Sequence, residues 1–368
     1  MPLVYASTSR YTQGPGVTES LGDELRFLGL SGPIIIVSGP TTARLLKTVW
    51  ERVLEQASMS HEIHEFSGEC TRAEINLIKE LALEKGARVI LGAGGGKAID
   101  AARAAAAMAD CSFVSCPTVA STDSPCSALS VIYDEHGVYQ GFDSFGMNPA
   151  LVLVDTAVII KAPERYFVAG MGDALATVFE ARACIQANQE NLRGGFSTIA
   201  AREIAEACYQ TIMNDGRQAL EDLRSGIPTP VFERVVEANT LLSGIGFESA
   251  GLAAAHGIHN AMTVAPGTHS CLHGEKVSFG VMVQLVLESQ PDELIDSVSD
   301  FCIDVGLPIT LAGVGLSSED RDTLNLIVQA AIAPGSLIYN EPFEISADLL
   351  MDAILEANKR GEAASAQA

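Results

Sequence analysis

At 368 residues the chain is long enough for two domains with separate cores. Hydrophobic residues make up 48%, charged residues 19%, and the formal net charge is -23, which argues against a polyanionic partner, because nucleic acid and anionic membrane surfaces are bound through clustered Lys and Arg. No stretch reaches the roughly 18 uninterrupted apolar residues of a membrane span, and Met1-Pro2-Leu3-Val4-Tyr5 lacks the basic region and apolar core of a signal peptide, so a cytoplasmic protein is expected. The eight cysteines lack C-x-x-C spacing and read as reduced, buried thiols, with Cys271 set apart by its neighbouring histidines.

Gly32 to Val37 is a continuous apolar run rich in β-branched residues, the pattern of a strand covered on both faces. Thr41 to Gln56 reads as a helix, His61 to Phe66 as a more polar strand, and Thr71 to Lys85 as a helix with Thr71 as its N-cap. A strand from Val89 runs into the glycine cluster Gly92-Ala93-Gly94-Gly95-Gly96-Lys97-Ala98, and a helix continues through Ala101 to Ala109. Phe113 to Pro117, Ala128 to Tyr133 and Ala150 to Asp155 are further apolar strand candidates. Such alternation predicts an α/β domain over 1–162 with a mainly parallel, Rossmann-like sheet, right-handed crossovers and helices on both faces.

From Pro163 the pattern changes to alanine-rich amphipathic segments, roughly Pro163 to Ala187, Gly195 to Asn214, Gly216 to Ser225, Pro228 to His259 and Glu275 to Leu287, with more towards Asn358. They predict an all-helical second domain over 163–368. The small, polar tail Gly361 to Ala368 is expected to be mobile.

The glycine cluster follows a strand and opens a helix. Residues without Cβ let a ligand approach the backbone, and a helix N-terminus offers free N–H donors and partial positive charge to a phosphate. The spacing is neither G-x-x-x-x-G-K-[ST], since Ala98 follows Lys97, nor G-x-G-x-x-G, since counting from Gly92 lands on Lys97. Residue types alone leave two readings, a phosphate-binding turn or a plain strand-to-helix turn. Thr118 to Pro125 also follows a strand, so both turns are expected at one crevice beyond the C-terminal strand ends.

Four of the seven histidines fall between 256 and 273: His256, His259, His269 and His273. Thr263 to Gly267 ends one helix and His273 opens the next, a turn that can bring His273 back beside His256. Two imidazoles need an oxygen or nitrogen companion to hold a divalent cation, and Asp173, beside glycines in an apolar helix, is the candidate. The other reading is a helix-capping aspartate and ordinary histidines.

Gly92 to Asp100, Pro117 to Tyr133, Gly170 to Ala176, Gly244 to His256 and His273 to Val277 together resemble the glycerol dehydrogenases of the iron-type alcohol dehydrogenase superfamily, an architecture shared with dehydroquinate synthase. The resemblance spans nearly the whole chain. It implies one Zn²⁺ per subunit held by Asp173, His256 and His273, with substrate hydroxyls completing the coordination and Asp123 contacting the polyol, orienting it or relaying a proton. It implies cofactor contacts from Gly94, Gly95, Gly96, Lys97, Ala98, Thr118, Ser121, Ser127, Leu129, Val131 and Tyr133. His259, His269 and Cys271 match no ligand position.

The implied reaction is reversible hydride transfer from the secondary hydroxyl of glycerol to NAD(P), giving dihydroxyacetone, and the implied assembly is a homo-oligomer, an octamer built through the N-terminal domain. One departure concerns the cofactor: relatives carry an aspartate for the adenosine ribose where this chain has Gly39, so NADP stands beside NAD, with Thr41, Thr42 or Arg44 near any 2′-phosphate. Related readings are a dehydrogenase for another vicinal diol, a hydroxyketone or a 2-hydroxy acid. A dehydroquinate synthase-like lyase would need a cluster of cations, and near the candidate site only Lys276 and Arg182 stand out.

Overall fold

The computed structural model describes residues 1–367. In chain order the first elements are β1 (Tyr11–Gly14), α1 (Leu21–Phe27), β2 (Ile34–Ser38), α2 (Pro40–Gln56), β3 (His61–Glu65), α3 (Arg72–Glu84), β4 (Val89–Gly94), α4 (Gly96–Met108), β5 (Ser112–Pro117), β6 (Leu129–Tyr133), β7 (Tyr139–Ser144) and β8 (Leu151–Asp155). Six of these strands form a parallel sheet in the order β1-β8-β5-β4-β2-β3. Every residue of β2, β4 and β8 is buried, as their unbroken apolar runs require when helices cover both faces. Ile75, Ile78, Ile99 and Ala102 pack on one face and Leu25, Trp50 and Leu54 on the other. Thr71 caps α3 as expected, accepting from the Glu74 N–H.

Two parts of this layer depart from the expected pattern. β1 is a half-buried edge strand whose sequence YTQG carries no apolar periodicity, and it pairs with β8. β6 stays outside the main sheet and forms an antiparallel hairpin with β7.

The chain continues through α5 (Thr156–Ile159), α6 (Glu164–Gln186), α7 (Ile199–Ser225), α8 (Pro230–Glu237), α9 (Ser243–Ala250), α10 (Ala254–Met262), α11 (His273–Leu287), α12 (Asp292–Val305), α13 (Arg321–Ala331) and α14 (Ala347–Ser365). Among the described residues no named strand follows Asp155. α6 is buried almost without interruption from Phe167 to Cys184, as befits a helix apolar on all sides, and it forms the axis of this half.

Three expectations need correction. Gly216 does not divide two helices: α7 runs straight through it, and the missing Cβ lets Phe301 of α12 approach, since a Cβ would stand 2.8 Å from that ring. The segment Pro228 to His259 is three helices, separated by a π-helical turn over Ala238–Leu242 and by Gly251 at φ +108°. The tail is largely helical, because α14 reaches Ser365 and the buried Gly361 sits against the Ile309 carbonyl; Ala368 lies outside the described residues.

Backbone contact fixes α6 against its neighbours. A Cβ at Gly170 would stand 1.9 Å from the Ala120 carbonyl oxygen, and one at Gly274 would stand 1.8 Å from that of Ala169. The axis helix therefore touches both the turn after β5 and the start of α11, with no room for a side chain between. Among the described residues no helix is long and apolar enough to cross a membrane.

Candidate active site

β4 delivers the glycine turn to the C-terminal edge of the sheet, and α4 starts there without any side-chain cap, so its first N–H groups are free for an anion. Gly92 lets α4 pack directly on β4, since its Cβ would stand 2.9 Å from that of Ala102. A cavity of about 430 Å³ opens beyond this turn. Gly94 to Ala98, Ser121, Asp123, Leu129, Val131 and Tyr133 line it from the sheet side. His256 and His273 line it from the helical side, with Tyr166, Phe247, Leu252 and Leu272 closing an apolar wall that sequence reasoning did not single out. Two expected cofactor contacts lie off this lining: Thr118 faces Thr42, with the hydroxyls 3.3 Å apart, and Ser127 is buried, donating to the Ser124 carbonyl at 3.1 Å.

At the lining, α6, α10 and α11 bring His256 and His273 together with Asp173, which lies behind them. Asp173 Oδ1 lies 3.3 Å from His256 Nε2 and 3.0 Å from His273 Nε2, and the two Nε2 atoms are 3.4 Å apart. Oδ1 is fully buried and accepts no well-aligned hydrogen bond, an expensive orphan for a carboxylate. Three donors about 2.0–2.1 Å from one tetrahedral ion would stand roughly 3.3 Å from each other, so this spacing and the unpartnered oxygen fit a single divalent cation with one face open to the cavity. Burial alone would raise the Asp173 carboxyl, but the His273 and His256 imidazoles hold it far below the usual carboxylate range. Burial likewise works against the His256 imidazolium, yet Glu180 and Asp173 push its value well up.

Asp123 sits next to this cluster. Its N–H donates to Asp173 Oδ2 at 3.0 Å and its own Oδ2 accepts from Ser243 Oγ at 3.3 Å. Burial, and then the nearby Asp173 charge, raise its carboxyl well above the ordinary range. The remaining histidines have other partners: His259 Nδ1 bonds Asn260 at 3.0 Å, and His269 Nε2 donates to the Thr263 carbonyl at 2.9 Å. All eight cysteines are free; Cys111 and Cys271 are half-buried rather than buried, and Cys271 stays outside the cluster of ligand atoms.

Two buried charge networks support the site, and neither pairing was legible from the sequence. In the first, Arg103 pairs with Asp100 at 2.6 Å and donates to the carbonyls of Ser124 and Leu129, while Asp100 accepts from Ser124 Oγ at 2.5 Å and from the Val131 N–H at 3.0 Å. α4 thereby holds both the turn carrying Asp123 and the β6–β7 hairpin. In the second, the N-terminus of α10, which has the run Ala253-Ala254-Ala255 where a capping side chain would be expected, is capped from elsewhere. Glu180 Oε1 accepts from the N–H groups of Ala253 and His256 at 2.9 Å each, Glu341 accepts from Ala254 at 3.1 Å, and Gln284 from Ala255 at 2.9 Å.

The chain matches the family described as "Iron-containing alcohol dehydrogenase" over residues 8–156. It is 42% identical to the glycerol dehydrogenase of Citrobacter freundii over 98% of this chain and 99% of that protein. It is 39% identical to the glycolaldehyde reductase of Halobacterium salinarum over 98% of each. A crystal structure of a probable glycerol dehydrogenase from Sinorhizobium meliloti superposes with a TM-score of 0.93 at 37% identity, covering 98% of this chain and 100% of that one. Full-length identity at this level, on a parallel sheet joined to a helical half across one cavity, makes the chain an alcohol oxidoreductase of the iron-containing alcohol dehydrogenase family.

Proposed function

We propose that this enzyme oxidises the secondary hydroxyl of glycerol, and in reverse reduces the corresponding hydroxyketone, using NAD(P) and one Zn²⁺ at Asp173, His256 and His273. The observation that carries this reading is that the glycine turn and the two imidazoles line the same cavity. A cation held there supplies Lewis acidity, making a coordinated hydroxyl easier to deprotonate. The rest of the task falls to the chain. Gly94 to Ala98, with the free end of α4, and Leu129, Val131 and Tyr133 would hold the dinucleotide, and Asp123 would orient the polyol beside the imidazoles.

The charge of the lining favours a neutral substrate. Among the described residues of the cavity wall, Lys97 is the sole Lys or Arg, and it is already paired with Glu69 at 2.6 Å. A 2-hydroxy acid or a phosphorylated substrate would enter beside Asp123 and Asp173 with no unpaired Lys or Arg side chain to meet it. At the other end of the cavity Gly39 presents no carboxylate, and a surface recess nearby is lined by Arg44 and Lys47 of α2 together with Glu65. We therefore include NADP as an acceptor.

The test is steady-state oxidation of glycerol, and reduction of dihydroxyacetone and glycolaldehyde, followed at the reduced-nicotinamide absorbance with NAD and NADP in parallel. Chelation should abolish turnover and Zn²⁺ restore it. Restoration by Fe²⁺ alone would replace the metal in this proposal, and turnover only with a 2-hydroxy acid would replace the substrate.

A further inference from the structure

Glu180 lies in the centre of the protein, fully buried on α6, where nothing in the reaction outlined above requires a charge. It shares one face of that helix with Asp173 and Thr177, at spacings of seven and three residues. Each of the three reaches a different part of the site. Asp173 provides a donor atom, Thr177 meets Ser243 at 2.9 Å and through it Asp123, and Glu180 Oε2 lies 2.7 Å from His256 Nδ1.

The hydrogen bonds of Glu180 determine which nitrogen of His256 carries a proton. Its Oε1 already accepts two backbone N–H groups from the start of α10, so Oε2 is left to accept from Nδ1. In the neutral ring Nδ1 must then be the protonated nitrogen, leaving the lone pair on Nε2, which faces Asp173 and His273. The two N–H bonds to Oε1 also fix the carboxylate to the same turn of helix that bears the imidazole. The ring is oriented and its tautomer selected by a single side chain.

We propose that Glu180 is a positioning residue for the metal centre, setting the His256 tautomer and ring angle. This rests on the reading of Asp173, His256 and His273 as metal ligands. It predicts an unusual sensitivity to an isosteric change. In Glu180→Gln the amide oxygen can keep the two backbone N–H bonds, but the NH₂ then faces Nδ1, which must accept; the proton moves to Nε2 and blocks ligation. Turning the amide round restores the Nδ1 bond and sets an NH₂ against two N–H donors. Neither arrangement serves both partners.

Glu341 provides the control. It caps the next N–H of the same helix end but does not touch the imidazole. The experiment measures Zn²⁺ affinity by competition with a chromophoric chelator, and the visible bands of the Co²⁺-substituted protein, for wild type, Glu180→Gln and Glu341→Gln. Glu180→Gln should lose about 10- to 100-fold in Zn²⁺ affinity, the usual cost of removing such a partner, and shift the Co²⁺ bands. Glu341→Gln should bind within about threefold of wild type. Should Glu180→Gln fail to fold, Glu180→Asp, which keeps the charge and loses the reach, is measured in the same way with the same expected weakening. Wild-type affinity in the Glu180 variants, or equal weakening in Glu341→Gln, would overturn the positioning role while leaving the metal site standing. Absence of stoichiometric metal binding in the wild type would overturn both.

Discussion

The two sides of the cavity are built in contrasting ways. On the sheet side the glycine turn is one contiguous stretch at the end of a buried strand, and what it presents to the cavity is uncapped backbone N–H groups that need no particular side chain. On the helical side three helices each contribute one side chain, and the buried carboxylates Glu180 and Glu341 hold the start of the helix that carries His256. A backbone site of the first kind is robust to what surrounds it. A side-chain site of the second kind depends on charges that are costly to bury and more costly to leave unpaired.

Breaking the helical side should have the largest effect. Asp173→Ala should reduce bound metal from one equivalent to a small fraction and lower kcat by about a thousandfold or more, several kcal/mol of lost transition-state stabilisation, while NAD(P) binding measured by fluorescence titration stays close to wild type. If metal and turnover survive together, the contrast fails. The next effect tests whether the sheet side is as simple as its glycines suggest. Asp100→Ala strands Arg103 in a buried site where Asp100 was its sole anionic partner at short range, and should cost about 3–5 kcal/mol of unfolding free energy, read by urea titration. A cost below about 1 kcal/mol would mean the network adds little and the turn carries the sheet side alone.

The smallest effect concerns pH. Burial, followed by the neighbouring Glu288, pushes the Glu341 carboxyl up to about 9 from its ordinary 4.5. The folded state therefore keeps a proton that the unfolded chain gives up, and this group's contribution to stability falls as pH rises from about 4.5 to about 9. Glu341→Gln resembles the protonated form at every pH. Its melting temperature should draw ahead of wild type by a few degrees as pH rises across that window, and an equal difference at pH 6 and pH 9 would show the group does not titrate there.

The contrast also explains what could be read from the sequence. Strands β2, β4, β5 and β8, the glycine turn and the helical second half follow from apolar runs, periodicity and glycine placement, all of which are local signals. The convergence of His256 and His273 was legible because one connection of ten residues, 263–272, separates their helices. β1 escaped because an edge strand of YTQG carries no pattern, and Gly216 misled because a glycine in a helix can serve close packing as well as termination. Glu180, Arg103 and Glu341 gave no signal, and Asp100 closed a recognised stretch without its role being read: each is an isolated charge in an apolar segment, and its partner is fixed by the tertiary fold. The alanine run before His256 offered an indirect hint, since a helix start lacking Ser, Thr, Asp or Asn must find its cap elsewhere.

The backbone contacts at Gly170 and Gly274 bear on how such an enzyme can diverge. A methyl group at either position meets a carbonyl oxygen at under 2 Å, so drift in the frame that spaces Asp173, His256 and His273 is blocked at its two tightest points. Tyr166, Phe247, Leu252 and Leu272 have no such constraint and face the cavity directly. A substitution in that apolar wall therefore reshapes the cavity at lower cost than one in the backbone contacts that space Asp173, His256 and His273.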